Sequence, residues 1–418
     1  METFFYDHAS KIKTNQVGFE VRRINELSTD ELEMLQTAKL ADIAPIEAWT
    51  ALGTNTQINY STHGIFRYFG KFPSPVASYL ITTYTNENSM VMDPMSGSGT
   101  TALECLLLGR KSVSYDVNPL SLLLARVKTT YIDEVVLKYQ LENITKNYSP
   151  CTIKEFNYSP VGLKNIDHWF LESTQNSIRG LLKEIEKIAD TKIRDFFTVV
   201  LMSTIRYVSK ATSQQGRLFL DVLSAKEDAL ETFIKKADKA ISAVSALPKD
   251  NSKIRVDFHD INFPFDEKNN DLIILHPPYF NSYKYSSVNS LELSWLGIDH
   301  GVIRKQEIRE FFKVGKAEKV ALYIDDMVQS LINTAKTLSN NGVLALMIGD
   351  TIIKGEYVPV TRQLIDAFVS KVADLKVEKV ALRVPKYTEA SWAASQRRKS
   401  DSVGANLYDF IVIFRKGN

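Results

Sequence analysis

Apolar residues between positions 75 and 128 recur with spacings that alternate between the helix period and the strand period. The pattern predicts a helix at 75–84, a strand at 90–92, a helix at 100–108, a strand at 111–115 and a helix at 119–128. Because strands that alternate with helices lie side by side and parallel, this order predicts the beginning of a doubly wound α/β sheet.

The pattern changes after residue 131, where long helices are predicted at 176–189, 193–210 and 226–247. Strand-like runs return at 253–258, 271–275 and 342–348. Two β-rich runs at 377–384 and 408–414 are predicted to form an antiparallel pair. Residues 1–60 are polar, and the run from Ser28 to Glu31 is typical of a helix start.

These elements predict an α/β fold, namely a doubly wound, Rossmann-like sheet with helical insertions and a C-terminal antiparallel strand pair. The domain organisation follows from the same pattern. We expect an N-terminal helical extension at 1–60, a catalytic sheet domain built from 61–130 and 251–418, and a helical insertion at 131–250. A second insertion is predicted within the sheet domain at 280–341.

Composition narrows the classes of protein further. The chain has 51 Lys and Arg against 49 Asp and Glu, a formal charge of +2, which excludes a protein that coats nucleic acid but permits local basic surfaces. No apolar run approaches the roughly 18 residues of a membrane helix, and the first residues do not resemble a secretory leader. We therefore expect a soluble, cytoplasmic protein without a membrane partner. Two cysteines and six scattered histidines predict neither a disulfide framework nor a metal site.

A glycine-rich turn follows the predicted strand at 90–92 and has the sequence Asp93-Pro94-Met95-Ser96-Gly97-Ser98-Gly99-Thr100-Thr101. Its glycines allow the backbone to turn tightly and to approach a ligand. The third glycine of a dinucleotide fingerprint and a Walker lysine are both missing, so a pyrophosphate fits poorly. Asp116 ends the next strand, where a carboxylate accepts hydrogen bonds from ribose hydroxyls. An adenosine-bearing ligand without a pyrophosphate is therefore predicted; a turn that only reverses the chain is the alternative.

The turn, followed by Asp116-Val117-Asn118-Pro119, resembles the cofactor motifs of the S-adenosylmethionine-dependent amino-methyltransferases that act on DNA. The resemblance implies that the turn holds the methionine end of S-adenosylmethionine, that Asp116 binds the ribose and that Asn118 borders the adenine. The family usually has an aromatic residue where this chain has Met95. The turn residues implied in cofactor binding are Asp93, Pro94, Met95, Ser96, Gly97, Gly99 and Thr100.

Two further segments are implied in cofactor binding. The segment 67–73 resembles the part of the family that closes over the methionine portion, and in it Tyr68, Lys71 and Phe72 are the implied contacts. Ordinary packing at a helix entry is the alternative for these three. Asp260 follows the run 253–258, where the family often has an acidic residue near the adenine; a simple turn aspartate is the alternative.

The apolar run 271–275 ends in His276-Pro277-Pro278-Tyr279. Two prolines end the strand and fix the backbone, so that nearby carbonyls face a site at the carboxyl end of the sheet. An exocyclic amine is a poor nucleophile because its lone pair is conjugated into the base. Two hydrogen-bond acceptors on its N–H groups favour a tetrahedral nitrogen and stabilise its developing charge.

The segment resembles the catalytic motif of the same family, in which Asp, Asn or Ser precedes Pro-Pro and an aromatic residue. The resemblance implies that the Pro277 carbonyl and the side chain at 276 accept the two amine hydrogens. Tyr279 would stack on a base flipped out of the duplex. His276 departs from the family, and we hypothesise that it acts as a neutral acceptor and takes the departing proton. Activity is then expected to fall as the pH drops through the histidine pKa. The alternative is a site that no longer methylates.

Basic residues are concentrated at 379–400, where six bases accompany one acid. Lys386, Arg397, Arg398 and Lys399 are predicted to bind DNA phosphates, with a solvated loop as the alternative. The resemblance implies a site-specific DNA methyltransferase that forms N4-methylcytosine or N6-methyladenine in a restriction–modification system. It implies duplex DNA and a cognate restriction endonuclease as partners, and target recognition by the insertion at 131–250 or the segment 280–341. A tRNA guanine-N2 methyltransferase and a catalytically silent DNA-binding subunit are the alternatives.

Overall fold

The computed structural model describes residues 1–6, 17–214, 217–221, 227–280, 285–308, 318–354, 356–385 and 409–417. In these residues the strands are β1 Glu2–Phe5, β2 Gly18–Arg23, β3 Ile46–Leu52, β4 Met90–Asp93, β5 Lys111–Asp116, β6 Ala211–Gln214, β7 Arg217–Leu220, β8 Ile254–Phe258, β9 Asn270–Leu275, β10 Leu338–Gly349, β11 Thr351–Ile353, β12 Glu356–Val358, β13 Leu375–Arg383 and β14 Asp409–Lys416. The helices are α1 Thr29–Thr37, α2 Ser74–Tyr84, α3 Thr100–Leu107, α4 Pro119–Lys128, α5 Glu134–Asn147, α6 Ile166–Trp169, α7 Glu172–Glu186, α8 Thr191–Val208, α9 Ala229–Val244, α10 Tyr285–Val288, α11 Ser290–Trp295, α12 His300–Gln306, α13 Glu318–Ala335 and α14 Val360–Val369.

Ten strands form one sheet in the order β1-β2-β3-β13-β14-β10-β9-β4-β5-β8. The five strands from β10 to β8 are mutually parallel. Helices lie in the connections between them, except between β8 and β9, which a loop at 259–269 joins. Strand β14 runs antiparallel to both β13 and β10. The predicted doubly wound α/β sheet and its C-terminal antiparallel pair are therefore confirmed.

The expectation of a helical extension at 1–60 is wrong for most of that segment. The helix predicted from Ser28 exists as α1, and Ser28 and Glu31 form a capping box at its start. The remainder contributes β1, β2 and β3, and β3 pairs in parallel with β13. In the middle of β2, Phe19 and Val21 are deeply buried, whereas Glu20 and Arg22 are half-buried. Apolar residues that alternate with polar ones give a segment a polar average composition, so the strand was not recognised in the sequence.

The two faces of the sheet carry separate apolar layers. Along β10, Leu344, Leu346 and Ile348 pack into one layer, while Val343 and Met347 pack into the other. Because successive strand residues point to opposite faces, a continuous apolar run indicates a strand that is covered on both sides. Strand β10 is thus central, and its carboxyl end lies inside the molecule.

The insertion at 131–250 is helical as predicted, with the small β6–β7 hairpin in addition. Its helices share an apolar core with α4 of the sheet domain and with α11 of the second insertion. Trp295 of α11 is fully buried in this core. The two insertions therefore pack together beside the sheet. Among the described residues, no helix is both long enough and apolar enough to cross a membrane.

Candidate active site

The predicted cofactor and catalytic motifs meet at one edge of the sheet. The glycine-rich turn follows β4, Asp116 ends β5, His276 follows β9, and Asp350 follows β10. Because these strands are parallel, their carboxyl ends lie together, where open α/β sheets bind ligands.

The glycine turn requires its glycines for two different reasons. Gly97 and Gly99 both have positive φ, +49° and +78°, which is the left-handed region that favours glycine. A Cβ on Gly99 would lie 2.7 Å from the Cα of Ala125, so α4 packs directly against the turn. A Cβ on Gly97 would lie 3.4 Å from the ring of Tyr68. The turn is therefore compact, and the Tyr68 ring lies against it, while its contact with the cofactor stays a prediction.

Two carboxylates flank this turn. Asp93 is buried and accepts a hydrogen bond from the Met95 amide at 3.1 Å. The two oxygens of Asp116 accept from the amides of Gly97 and Asn118, each at 2.8 Å. Burial raises the pKa of Asp93 to about 7 and that of Asp116 to about 7, and the amide hydrogen bonds oppose this rise. Additional hydrogen-bond donors from a ligand would favour the ionised form of these two carboxyl groups.

The polar atoms around the turn fit an adenosine-bearing ligand. Ser96 Oγ, Ser98 Oγ and Asn118 Nδ2 are buried and have no hydrogen-bond partner among the described residues. Buried polar atoms are almost always paired, so unpaired atoms beside a ligand-binding turn indicate groups that a ligand satisfies. Asp116 remains partly open, as a ribose-binding carboxylate must. The residues present thus fit S-adenosylmethionine.

Phe72 lies beside the catalytic motif, whereas the side chain of Lys71 forms hydrogen bonds with the loop that precedes it. The Phe72 ring meets His276 edge-on, with 5.4 Å between the ring centroids. Lys71 Nζ donates to Asn59 Oδ1 and to the His63 carbonyl oxygen, at 3.0 Å in the second case. These contacts anchor the preceding loop. They favour the alternative, in which Lys71 has a structural role and does not bind the cofactor.

Asp260 follows β8, which pairs with β5 beside Asp116. Its Oδ1 accepts from the backbone amide and side-chain amide of Asn262, at 3.0 and 2.8 Å. This is the turn role that was the alternative for this residue. Its place at the same sheet edge is compatible with a second contact to adenine, which stays a prediction.

The catalytic motif is held rigidly. Tyr323 Oη donates to the Pro278 carbonyl oxygen at 2.8 Å, whereas the Pro277 carbonyl accepts no hydrogen bond from the described residues. His276 Nε2 lies 3.0 Å from Tyr279 Oη, and the two rings are perpendicular. A Cβ on Gly349 would lie 2.9 Å from Cδ2 of Tyr279, so the tyrosine ring rests on the end of β10. The motif therefore leaves one free carbonyl beside one imidazole and one fixed ring.

His276 is neutral at neutral pH. Its pKa is lowered to about 4, chiefly by burial; Asp409 opposes the shift, and Arg383 adds a smaller lowering effect. Arg383 and Asp409 face each other across β13 and β14, and Arg383 Nε donates to Asp409 Oδ2 at 2.9 Å. A neutral imidazole keeps one nitrogen lone pair that can accept a hydrogen bond.

Ion pairs reduce the number of basic side chains that are available to bind DNA. Of the six bases counted at 379–400, Arg383 is paired with Asp409 and Lys379 with Glu47 at 2.8 Å. Arg206 of the helical insertion is likewise paired, with Glu292. The four residues predicted to bind DNA, Lys386, Arg397, Arg398 and Lys399, lie outside the described residues.

Sequence reasoning missed two buried polar groups behind the cofactor turn. Lys128 is fully buried at the end of α4, and its Nζ donates to the Ser98 carbonyl oxygen at 3.0 Å. Glu104 is fully buried on α3, where it accepts from the hydroxyls of Tyr60 and Ser78 and lies 2.7 Å from His63 Nε2. The signal was a charged residue on an otherwise apolar helix face.

A Rossmann-like sheet with a glycine turn after β4, an acid at the end of β5 and a Pro-Pro-aromatic motif after β9 is the arrangement expected of an S-adenosylmethionine-dependent methyltransferase. Residues 8–125 match the family model described as DNA methylase, of the N6/N4 type. Over these residues the chain is thus similar to the N6/N4 DNA methylases, the family whose motifs it resembles and whose cofactor is S-adenosylmethionine.

Three curated proteins are similar to this chain, and all are named type II methyltransferases. M.BsoBI of Geobacillus stearothermophilus is 27% identical over 59% of this chain and 55% of its own length. M.MvaI of Kocuria varians is 25% identical over 61% of each chain. M.MjaII of Methanocaldococcus jannaschii is 36% identical over 21% of this chain and 17% of its own. The match therefore spans about three-fifths of the length of the first two relatives.

Among solved structures, TrmN from Thermus thermophilus matches with a TM-score of 0.32 and 11% identity. The match covers 83% of this chain and 50% of that chain. A similarity at this level adds nothing to the fold described above.

Proposed function

We propose that this protein transfers a methyl group from S-adenosylmethionine to the exocyclic amine of cytosine (N4) or adenine (N6) in duplex DNA. The observation that carries the proposal is the rigid His276–Tyr279 motif at the same sheet edge as the glycine turn. The similarity to type II methyltransferases supports a role as the modification enzyme of a restriction–modification system, with a cognate endonuclease as partner.

The protein's groups have distinct tasks in this reaction. S-adenosylmethionine, when bound, supplies a methyl group activated by the sulfonium. The Pro277 carbonyl and His276 accept the two amine hydrogens, which favours a tetrahedral nitrogen and stabilises its developing positive charge. Tyr279 stacks on the flipped base. The methylated nitrogen is strongly acidic, so even a weakly basic neutral His276 can take its proton.

The cofactor is held by the residues around the glycine turn. Asp93 and the backbone of the turn bind the methionine end, and Asp116 binds the ribose hydroxyls. Asn118 and Asp260 border the adenine, and Tyr68 and Phe72 cover the methionine portion. We keep Lys71 in this set, although its contacts with Asn59 and His63 favour an anchoring task.

The target base and the DNA contacts complete the proposal. The context after Tyr279 is similar to that of methyltransferases with Ser-Pro-Pro-Tyr, so cytosine is the first base to test. Lys386, Arg397, Arg398 and Lys399 would bind phosphates beside the pocket. The insertion at 131–250 is the proposed target-recognition subdomain, because it packs beside the sheet next to the second insertion.

One assay tests the proposal. The protein is incubated with labelled S-adenosylmethionine and either duplex DNA or tRNA, and the modified nucleoside is identified by mass spectrometry. We expect N4-methylcytosine or N6-methyladenine in DNA, and no product from Asp116→Ala, which should lose cofactor binding. Modification of tRNA alone would establish the guanine-N2 alternative. No product with either substrate, from a protein that still binds DNA, would establish the silent subunit.

A further inference from the structure

The catalytic motif contains a hydrogen bond between two of its own side chains. His276 Nε2 and Tyr279 Oη lie 3.0 Å apart, and among the described residues Nδ1 of His276 has no hydrogen-bond partner. A neutral imidazole carries one N–H donor and one acceptor nitrogen, and the partner of one nitrogen determines which tautomer forms. The nitrogen that remains for the substrate is therefore Nδ1. Whether Nδ1 donates or accepts a hydrogen bond depends on the hydrogen bond that Nε2 makes with Tyr279.

The tyrosine hydroxyl is fixed by its surroundings. The ring of Tyr279 rests against Gly349, where a Cβ would lie 2.9 and 3.0 Å from two of its carbons. The backbone before it is tied by the Tyr323 hydroxyl, which donates to the Pro278 carbonyl oxygen at 2.8 Å. Phe72 meets the imidazole edge-on from the other side. Neither ring can turn away without loss of packing.

We propose that the Tyr279 hydroxyl accepts the Nε2–H of His276 and thereby fixes the tautomer in which Nδ1 accepts a hydrogen bond from the target amine. This proposal rests on the proposed function and deepens it. A serine, asparagine or aspartate at position 276 offers an acceptor oxygen whatever its neighbours do. A histidine offers an acceptor at Nδ1 in only one of its two neutral tautomers. Tyr279 is then a positioning residue through its hydroxyl, besides the stacking role of its ring.

The charges around His276 are compatible with this role. Arg383 and Asp409 are the charged groups that act on the imidazole, and they are paired with each other. With the pKa of His276 lowered to about 4, its equilibrium at neutral pH lies between two uncharged tautomers. A single hydrogen bond is sufficient to decide between them.

A double-mutant cycle tests the proposal by kinetics. Tyr279→Phe keeps the ring and removes the hydroxyl, and we expect kcat to fall about tenfold, as for other partners that orient a histidine, with KM for DNA within about twofold. In a His276→Ser background the same change should alter kcat by less than about twofold, because serine has no tautomers. Equal losses in the two backgrounds would show that the hydroxyl acts independently of His276 and would overturn the proposal.

The tautomer can also be observed directly in the resting protein. In ¹⁵N-histidine-labelled protein at pH 7, with His276 assigned by its loss in His276→Ser, we expect protonated Nε2 and unprotonated Nδ1. Tyr279→Phe should show a mixture of the two tautomers. Protonated Nδ1 in the wild type would overturn the proposal. This spectrum needs neither DNA nor cofactor, so the predicted tautomer in a protein that methylates nothing would contradict the proposed function alone.

Discussion

The position of Tyr279 depends on a residue that has no side chain. Gly349 ends β10 directly beneath the tyrosine ring, and its backbone is not in the left-handed region. Its glycine is therefore required for space and not for backbone conformation. Sequence analysis could not find it, because a glycine at a strand end resembles any other turn residue.

Gly349→Ala should lower kcat by at least about tenfold. The new Cβ would lie 2.9 Å from the Tyr279 ring and 3.2 Å from Asp409 Oδ1, so the ring must move from the pocket that it shares with His276. A displacement of about 1 Å in a catalytic group costs up to about a hundredfold in rate. Steady-state kinetics measure the effect. The control is Gly417→Ala, whose Cβ would make only an ordinary contact of 3.5 Å; a kcat unchanged in Gly349→Ala would refute the argument.

The pH dependence of His276 lies lower than the sequence suggests. An ordinary histidine would lose its acceptor near pH 6.5, but burial lowers the pKa of His276 to about 4. Its contribution to kcat is therefore complete above about pH 5.5 and disappears only as the pH falls through about 4. We expect a kcat that is flat from pH 5.5 to 8 under saturating cofactor. A fall in kcat near pH 6.5, absent in His276→Ser, would show that the imidazole is an ordinary one.

At the scale of elements, a buried network joins the loop before the active site to the helix after the glycine turn. Glu104 of α3 accepts from Tyr60 and Ser78 and faces His63. Burial lowers the pKa of His63 to about 4, although its contact with Glu104 opposes the shift. The network fixes the chain that leads to Tyr68 and Phe72. It therefore positions the segment that is predicted to close over the cofactor.

Glu104→Ala should destabilise the fold by at least about 3 kcal/mol. The change removes the two buried hydrogen bonds from the Tyr60 and Ser78 hydroxyls to the carboxylate, and a hydrogen bond to a charged group contributes about 1.5–3 kcal/mol. Urea denaturation measures the loss in the free energy of unfolding. Glu134→Ala serves as the control, because its pair with Lys138 is exposed and such pairs contribute about 0.3–0.5 kcal/mol. Similar losses for the two variants would contradict the structural role of the network.

The elements that sequence analysis predicted are those with local signals. Strands β4, β5 and β9 and helices α3 and α4 combine an unbroken apolar run with a turn signal, and all were predicted. Strands β1 to β3 were not, because β3 is completed by β13, more than 300 residues away along the chain. The hydrogen bond between His276 and Tyr279 was missed because it depends on rotamers that Gly349 and Phe72 impose.

At the scale of the whole molecule, the net charge of +2 does not reveal how many basic side chains form ion pairs with acidic ones. Bases such as Lys379, Arg383 and Arg206 are engaged by acids within the fold. The charge available to DNA is therefore smaller than the number of bases suggests, and the predicted phosphate contacts are concentrated on the four residues of 386–399.

DNA affinity should consequently depend modestly on salt. Each phosphate contact contributes about −0.9 to the slope of log K against log salt, so four contacts predict about −3.6. Replacing Lys386, Arg397, Arg398 and Lys399 together with alanine should remove most of this slope in fluorescence anisotropy titrations. Arg362→Ala is the control, because this arginine of α14 is paired with Asp42 and with Asp366 of the same helix. A quadruple variant with an unchanged slope would place the DNA contacts elsewhere.

The pairing of Arg383 with Asp409 links the last two strands to the chemistry of the catalytic motif. The two residues face each other in the register of β13 and β14, and both charges act on the imidazole of His276. The same ion pair therefore joins two strands of the sheet and sets the electrostatic surroundings of a catalytic group. The stability of this strand pair and the protonation of His276 are thus coupled through one contact.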